Sequence, residues 1–408
     1  MRSYKTIWFI SKYAMAPNEA WVGHRAHYLI KELQKLGKKV YIINSNSFNK
    51  MKILSLKKIY NFRKIDEVNY LTIKTTRYKD SFSFKRVISW IEFEIKLFFM
   101  PLKKLTRPDV IIVSSLSLLT IINGLIMKYR FNSKLIFEIR DIWPLSLIEY
   151  KGYSNFNIFI LILSILEKVG YLFSDRIVGT MPKLEKHVEK TVGKKNKVSF
   201  IPIGFNSNDS TINKTIINSR IKEILDSDKI VITYVGSIGI SNNLETFFKT
   251  IHELKFNKNL FFLVIGDGEL KEKFSKKYQI CNNLIFNDAI DKKYIHNILK
   301  RSDILYFSLS KNKIWEFGQS LNKIIDYMLA GKPIIASYSG YKSMINEAKC
   351  GEFVEVNNQK KLKKAIMKYS NFSNSERTVI GERGKKWLYK YRTYERLAKD
   401  YYDIIEDL

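Results

Sequence analysis

Short apolar runs of strand length alternate with amphipathic stretches of helix length along most of the chain. A predicted strand at residues 6–11, a helix at 21–36 and a strand at 40–43 form the first such unit. A strand, a helix and a second strand in this order favour a parallel sheet covered by helices. The further predicted strands are 109–114, 134–139, 176–180, 197–202, 230–236, 261–265, 284–286, 304–307 and 334–336.

The length of 408 residues exceeds what one hydrophobic core usually supports. A largely polar stretch at 207–229 is typical of a linker between two halves. We therefore predict an α/β protein with two doubly wound, Rossmann-like domains facing each other across a cleft. The predicted boundaries are 1–203 for the first domain and 204–385 for the second, with a C-terminal helix at 386–408 that crosses back to the first domain.

One stretch of the second half, SLNKIIDYMLAGKPIIAS at 320–337, carries a candidate ligand site. Its periodicity predicts a helix at 321–329, which Gly331 ends, followed by a buried strand. Lys323 lies in the first turn, where a cation opposes the helix dipole unless an anion binds there, and Asp326 follows at i+3. A lysine for phosphates and a carboxylate for ribose hydroxyls fit a nucleotide diphosphate. An ordinary surface lysine–aspartate pair is the alternative.

Charged residues also lie where predicted strands or helices of the first half begin or end. Arg140 and Asp141 follow the strand at 134–139, and ligands of open parallel sheets gather beyond the carboxyl ends of strands. Gly23 and Arg25 lie near the start of the first predicted helix, where an anion is favoured. We expect a ligand-binding role for these residues, while a structural Arg–Asp ion pair remains the alternative for Arg140 and Asp141.

The composition is strongly basic, with 70 Lys and Arg against 39 Asp and Glu and a formal net charge of +31. Such a charge favours anionic partners, although lysines that maintain solubility contribute to it. We expect no nucleic-acid partner, because the sequence contains no zinc-ligand spacing and no ribonucleoprotein motif. The two cysteines, Cys281 and Cys350, are too few for a disulfide framework and favour a reducing compartment.

The basic and aromatic stretch at 85–107 has the composition of a helix that lies in a membrane interface. A core-facing helix with one solvated side is the alternative. The sequence contains no apolar run of about 20 residues, the length that a membrane span requires. We therefore expect a cytoplasmic protein attached peripherally to an anionic membrane surface, on the inner face of the cell membrane.

Eight motifs occur along the chain in this order: GHRAHYLIKEL, FEIRDIWP, IVGTMPKLEKHV, FIPIGFN, YVGSIG, LVIGDGEL, RSDILYFSL and NKIIDYMLAGKPIIAS. In their order and spacing, the chain resembles the retaining glycosyltransferases of family 4, which have the GT-B fold. The RDIWP and NKIIDYMLAGKP segments resemble the bacterial O-antigen and capsule branch, which includes transferases of acetamido sugars such as N-acetylfucosamine.

The resemblance implies a sugar-nucleotide donor, held mainly by the second domain. In this sequence Asp326 corresponds to the glutamate that binds ribose hydroxyls, Lys323 faces the diphosphate, and Arg140 replaces a histidine near the donor sugar. The implied catalytic residues are Arg140, Asp141 and Lys323. The implied donor-binding residues are Gly23, Arg25, Gly236, Ser237, Gly266, Glu316, Ser320, Asn322, Lys323 and Asp326.

Four positions depart from the family pattern. Ser237 and Asn242 stand where many members carry an arginine and a lysine, and Ile203 replaces an asparagine. The earlier acid of a paired motif would fall at Gly318, whereas the nearest acid is Glu316. We therefore expect the diphosphate to be neutralised mainly by Lys323, with Arg25, Arg140 and backbone N–H groups.

The implied activity is the transfer of a sugar, with retention, from a donor that we expect to be UDP-linked to a polyprenyl-diphosphate-linked saccharide. No metal or other cofactor is expected; Asp226-Ser227-Asp228 spells a metal-binding pattern but precedes a predicted strand, which favours a solvated turn. Two alternatives remain open: a sugar-nucleotide epimerase of the same fold, and a non-catalytic adaptor at a membrane surface.

Overall fold

The structure is a computed structural model that describes residues 5–19, 24–47, 56–78, 83–115, 117–208 and 218–408. The chain divides into two compact units. Unit 1 comprises Met1–Asn206 and Thr393–Leu408, and unit 2 comprises Ser207–Arg392. The last segment of the chain therefore belongs to the first unit.

Unit 1 is built on an eight-stranded sheet in the order β3-β4-β2-β1-β5-β6-β7-β8. All neighbouring strands are parallel except β3 and β4, which form an antiparallel pair at one edge. Its strands are β1 (Thr6–Ile10), β2 (Lys39–Ser45), β3 (Tyr60–Ile65), β4 (Val68–Ile73), β5 (Val110–Ser114), β6 (Lys134–Ile139), β7 (Arg176–Gly179) and β8 (Val198–Phe200).

Helices cover both faces of this sheet. Its first six helices are α1 (Arg25–Lys35), α2 (Phe84–Phe98), α3 (Thr120–Phe131), α4 (Leu145–Lys151), α5 (Ile158–Phe173) and α6 (Leu184–Val192). α1 packs with the C-terminal helix of the chain over a core that includes Ile7, Phe9 and Ile112. Gly124 of α3 contacts Val113 and Gly170 of α5 contacts Phe137. Since alternate residues of a strand point to opposite faces, α3 and α5 cover the other face.

Unit 2 is built on a six-stranded parallel sheet in the order β11-β10-β9-β12-β13-β14. Its strands are β9 (Ile230–Val235), β10 (Leu260–Ile265), β11 (Leu284–Asn287), β12 (Ile304–Ser308), β13 (Ile334–Ser337) and β14 (Gly351–Val354). The helices are α7 (Ser219–Leu225), α8 (Glu245–Glu253), α9 (Lys271–Lys277), α10 (Lys292–Arg301), α11 (Asn322–Leu329), α12 (Ile345–Ala348), α13 (Gln359–Asn371) and α14 (Asn374–Tyr391). One cluster of buried aromatic and aliphatic side chains packs between α8, α13 and the sheet.

The last helix of the chain, α15 (Tyr394–Glu406), is separate from α14. Arg392 ends α14, and the side chain of Thr393 accepts a hydrogen bond from the backbone N–H of Arg396 to cap α15. The predicted helix at 386–408 thus corresponds to the end of α14 and all of α15. The contacts divide the chain after Asn206 and Arg392, compared with the sequence-based boundaries after 203 and 385.

The two largely parallel sheets confirm the predicted α/β fold class. Every strand predicted from the sequence is present, and α11 begins one residue after its predicted start. The sequence analysis did not predict β3, β4 or β14. Of the predicted linker at 207–229, residues 209–217 lie outside the described residues, and the remainder includes α7.

Candidate functional site

The carboxyl ends of β9 and β10 meet at two glycines. Gly236 and Gly266 have φ angles of +150° and +151°, which residues with a side chain rarely adopt. A Cβ atom on Gly266 would lie 1.8 Å from the carbonyl oxygen of Gly236. Gly266 is therefore required for the two strand ends to approach this closely, and both glycines lie at the carboxyl ends of strands, where ligands of such folds bind.

The side chain of Lys323, from the first turn of α11, reaches this strand end. Its Nζ donates a hydrogen bond of 2.9 Å to Oδ1 of Asn242 and lies 5.1 Å from the ring centre of Tyr234. The Nζ atom is also 3.0 Å from the position that a Cβ on Gly236 would occupy. Lys323 thus places its cation beside Asn242 and Gly236 at the carboxyl end of β9.

Burial lowers the pKa of Lys323 from 10.5 to about 8. Its hydrogen-bond partner Asn242 is a neutral amide, which cannot offset the cost of burying the charge. An anion placed beside Nζ would remove that cost. The ammonium group is thus prepared to receive negative charge.

The chain that leads into α11 contributes unsatisfied polar groups. Gln319 is 3% exposed, and both its Oε1 and Nε2 atoms lack a hydrogen-bond partner within the described part of the chain. The same holds for the hydroxyl of Ser320, and α11 begins without a side-chain cap. Buried polar groups without partners are costly in a ligand-free protein, and a polar ligand bound at this loop would satisfy them. The predicted donor-binding set includes Ser320 but not Gln319.

α11 itself is fixed to the sheet by Tyr327. The hydroxyl of Tyr327 accepts a hydrogen bond from Val235 N at 2.8 Å and donates towards the carbonyl oxygen of Tyr306 at 3.1 Å. The Tyr234 hydroxyl donates to the carbonyl oxygen of Ser237 at 2.6 Å and fixes the turn after β9. These bonds set the position of Lys323 relative to the strand end.

The remaining predicted donor-binding residues of unit 2 are accessible. Asp326 has a partly exposed carboxylate that lies 3.9 Å from Nζ of Lys292. Ser237 and Asn322 are exposed at the turn after β9 and at the start of α11. Glu316 is exposed on a short 3₁₀ helix, Lys313–Phe317, which precedes α11.

In unit 1, Arg25 forms a buried ion pair and a hydrogen bond to the backbone. Its Nη1 lies 2.7 Å from Oε2 of Glu138 with both side chains buried, and its Nη2 donates to the carbonyl oxygen of Ile201 at 3.0 Å. Burial lowers the pKa of Arg25, but Glu138 more than offsets this and the net pKa is raised. Arg25 thus forms a buried ion pair in the ligand-free protein, as buried charges generally require, and its expected role in neutralising a diphosphate stays a prediction.

Arg140 and Asp141 follow β6, as predicted, but their environments differ. Nε of Arg140 has no hydrogen-bond partner among the described residues, and burial together with the nearby charge of Arg25 lowers the pKa of Arg140. Asp141 accepts hydrogen bonds from Nε1 of Trp143, at 3.0 Å, and from the hydroxyl of Ser146. The geometry thus leaves Arg140 able to meet an anion, whereas Asp141 orders its own loop; the catalytic roles of both stay predictions.

The two remaining features predicted from the sequence are Gly23 and the Asp226-Ser227-Asp228 pattern. Gly23 lies outside the described residues. Asp226 of the Asp226-Ser227-Asp228 pattern ends α7 and is paired with Arg301. In the described ranges, no three His, Cys, Asp or Glu side chains are grouped so that they could hold a metal ion.

Comparison with known proteins gives this site a context. Residues 216–387 match the family model described as glycosyl transferases group 1. The chain has the GT-B fold. Residues 216–387 include β9, β10 and the whole of α11, so the candidate site lies within the region that matches this family model.

Solved structures of similar fold extend over the whole chain. Sucrose-phosphate synthase from Thermosynechococcus elongatus is 16% identical, with a TM-score of 0.73 and coverage of 99% of this chain and 98% of that one. HepE of Anabaena, in complex with UDP and glucose, is 11% identical, with a TM-score of 0.64 and coverage of 99% and 100%. WaaG, a glycosyltransferase involved in lipopolysaccharide biosynthesis, is 12% identical, with a TM-score of 0.62 and coverage of 98% and 99%. Among curated proteins, no sequence matches this chain.

Proposed function

We propose that the protein is a retaining glycosyltransferase that moves a sugar from a UDP-linked donor to a polyprenyl-diphosphate-linked saccharide during the synthesis of a surface polysaccharide. The observation that carries the proposal is the position of Lys323 Nζ, beside Gly236 and Asn242 at the carboxyl end of β9. A desolvated ammonium group at this point suits a diphosphate. The UDP complex of the structurally similar HepE supports uridine as the nucleoside of the donor.

The proposed chemistry places negative charge where the cation lies. The acceptor hydroxyl oxygen forms a bond to the anomeric carbon while the bond from that carbon to the β-phosphate oxygen breaks, through an oxocarbenium-like state. The electron pair of the broken bond leaves on UDP, and a phosphate oxygen of the donor takes the acceptor proton on the same face of the sugar. Lys323 and the unpaired N–H groups at the start of α11 stabilise the charge that develops on the diphosphate.

The other polar groups of the loop and helix provide donor recognition. Asp326 accepts hydrogen bonds from the ribose hydroxyls, and the hydroxyl of Ser320 and the amide of Gln319 gain the partners that they lack in the ligand-free protein. Gly266, Ser237, Asn322 and Glu316 complete the donor site. The reaction needs no metal ion, because positioned cations and N–H dipoles neutralise the leaving group.

A product analysis tests this proposal against its alternatives. The purified protein is incubated with a panel of UDP-sugars, with and without a polyprenyl-diphosphate-linked saccharide, and the products are separated by mass and by anomeric configuration. We expect UDP release and a product with the donor's anomeric configuration only when the acceptor is present. Conversion of the sugar nucleotide without an acceptor would support the epimerase, and no turnover of any bound sugar nucleotide would support the adaptor.

A further inference from the structure

Helix α5 has an unusual distribution of apolar residues. Ile160, Leu163 and Leu166 on one side are buried in unit 1. Ile158, Leu161, Ile162 and Ile165 on the other side are exposed, as is Phe156 just before the helix. A helix that is apolar on all sides is normally surrounded by protein or lipid. We therefore expect a binding partner to cover the outer side of α5.

The neighbouring helices continue this exposed surface. α3 packs against both α2 and α5. Trp90 of α2 and Phe159 of α5 are stacked with their ring centres 6.4 Å apart, and Nζ of Lys128 in α3 donates to the carbonyl oxygen of Phe173 at 2.9 Å. The exposed apolar side chains that α2 and α3 add are Phe84, Ile91, Ile95, Phe99, Ile122 and Ile126. We call the outer side of α2, α3 and α5 the three-helix face.

The charges around the three-helix face are mainly positive. Exposed basic residues on it or at the ends of its helices are Lys85, Lys103, Lys104, Arg107, Arg130 and Lys168. The acids of α2 are neutralised or turned inward: Glu92 lies 3.7 Å from Lys96, and Glu94 accepts hydrogen bonds from Thr120 and Asn123 of α3. An apolar centre with a basic surround is complementary to an anionic lipid surface.

The length and packing of α5 determine how this helix could contact a bilayer. No helix in the described part of the chain is long and apolar enough to cross a membrane, and α5 has only 16 residues. Its inner side is packed against the sheet through Gly170 and Phe137. Only the outer side is available, so α5 would lie in the plane of a bilayer. A second copy of this chain is a poorer occupant, because a twofold contact would bring the two basic surrounds together.

We infer that the three-helix face is the surface by which this protein binds an anionic phospholipid bilayer, with α5 as the main element inserted into the interface. This inference deepens the proposed function, on which it rests for the lipid-linked acceptor. The sequence-based expectation of membrane attachment rested on the stretch at 85–107 and on the net charge of +31. In the structure α2 supplies one part of the surface and α5 supplies its apolar centre.

Two matched double variants test the inference. Phe156→Gln with Ile165→Gln removes exposed apolar groups from the region of α5, where the two side chains are 89% and 62% exposed. Phe256→Gln with Ile280→Gln makes the same chemical changes in unit 2, at side chains that are 84% and 60% exposed. All four side chains are exposed, so both variants should fold, which thermal unfolding of each variant verifies.

The measurement is flotation of the full chain with vesicles of phosphatidylglycerol and phosphatidylcholine, compared with vesicles of phosphatidylcholine alone. We expect the wild type and the unit 2 variant to bind the anionic vesicles equally, and the α5 variant to bind at least about tenfold more weakly, equivalent to about 1.4 kcal/mol. Equal binding of the two variants would overturn the inference. The inference would also be overturned if the wild type does not float and instead forms a dimer in sedimentation experiments, and if only the α5 variant disrupts that dimer.

UDP binding, measured by calorimetry without vesicles, separates this inference from the proposed function. We expect the α5 variant to bind UDP like the wild type. If no form of the protein binds UDP although the wild type floats through α5, the proposed function fails and the membrane surface remains. If UDP binds normally and both double variants float equally, the membrane surface fails and the proposed donor site remains.

Discussion

The pKa of Lys323 allows one prediction in which stability and activity change in opposite directions. Lys323→Met keeps an unbranched side chain that is one atom shorter and removes its charge. We expect the variant to lose most of its activity while the ligand-free protein becomes more stable. A residue with a purely structural role would not show this combination, because its removal would lower stability.

The size of the stability change follows from the buried charge. Lowering the pKa from 10.5 to about 8 corresponds, at about 1.36 kcal/mol per pKa unit, to a cost of about 3 kcal/mol for burying the ammonium form. The lost hydrogen bond to Asn242 offsets about 1 kcal/mol of this. We therefore expect a gain of about 2 kcal/mol in the free energy of unfolding at pH 7. Below pH 8 the lysine is charged in both the folded and unfolded states, so the gain is complete there and disappears as the pH rises from 8 to 10.5.

The activity change follows from the position of the same charge. Removing one preorganised group of this kind typically costs roughly 3 to 4 kcal/mol in the transition state, so kcat should fall by a hundredfold or more. Lys323→Arg should rescue only partly, because the guanidinium differs in shape and reach. Lys332→Met is a matched control: burial lowers the pKa of this second half-buried lysine as well, but it follows the opposite end of α11. We expect it to keep kcat.

The assays are steady-state UDP release and thermal unfolding between pH 7 and pH 10.5. A Lys323→Met variant with near-normal kcat, or one that is less stable than the wild type at pH 7, would refute the reasoning.

Four further predictions concern other parts of the account. The value of kcat/KM for the donor should fall as the pH rises through about 8, the pKa of Lys323 in the free protein. Lys323→Arg should abolish this fall because arginine stays charged, and a flat wild-type profile would count against the assignment of Lys323. Asp326→Ala should raise KM for the donor and leave kcat nearly unchanged in steady-state kinetics, since its hydrogen bonds exist in both ground and transition states; an equal loss in kcat would contradict a ribose-binding role. Activity should survive EDTA, and restoration by Mn²⁺ or Mg²⁺ of activity lost on chelation would show that a metal takes part. Glu138→Ala should destabilise the protein in thermal unfolding by about 3–5 kcal/mol, because it leaves Arg25 charged and buried, whereas Glu185→Ala, at an exposed pair, should cost less than about 1 kcal/mol.

Local sequence patterns predicted most of the fold, but not the edge pair β3 and β4. The turn between these strands consists of Asp66 and Glu67, both with positive φ angles of 45° and 70°. Such turns normally carry asparagine or glycine, so the sequence contains no recognisable hairpin signal here. β3 is only partly buried along its length and lacks the apolar run by which the other strands were recognised. The tertiary context therefore determines this hairpin more than its own residues do.

The sequence predicted which residues belong to the candidate site better than it predicted which partners they contact. The sequence placed Lys323 and Asp326 on one helix face, yet Lys323 bonds Asn242, 81 residues away, and Asp326 lies near Lys292. Arg25 was expected to bind an anion, and its partner Glu138 lies 113 residues further along the chain. Periodicity within one element carries no information about such distant partners. The buried amide of Gln319 was missed for the same reason, because its burial depends on how the loop before α11 folds.

Calorimetric binding of UDP, a UDP-sugar and uridine to the wild type and to Lys323→Met tests the central claim most directly. UDP carries the negative charge that the leaving group develops, so the wild type should bind UDP much more tightly than uridine. Loss of Lys323 should weaken the binding of UDP more than that of the UDP-sugar, and it should leave the binding of uridine unchanged. Equal affinities of the wild type for UDP and uridine, or unchanged UDP binding in Lys323→Met, would contradict a diphosphate site at the end of β9.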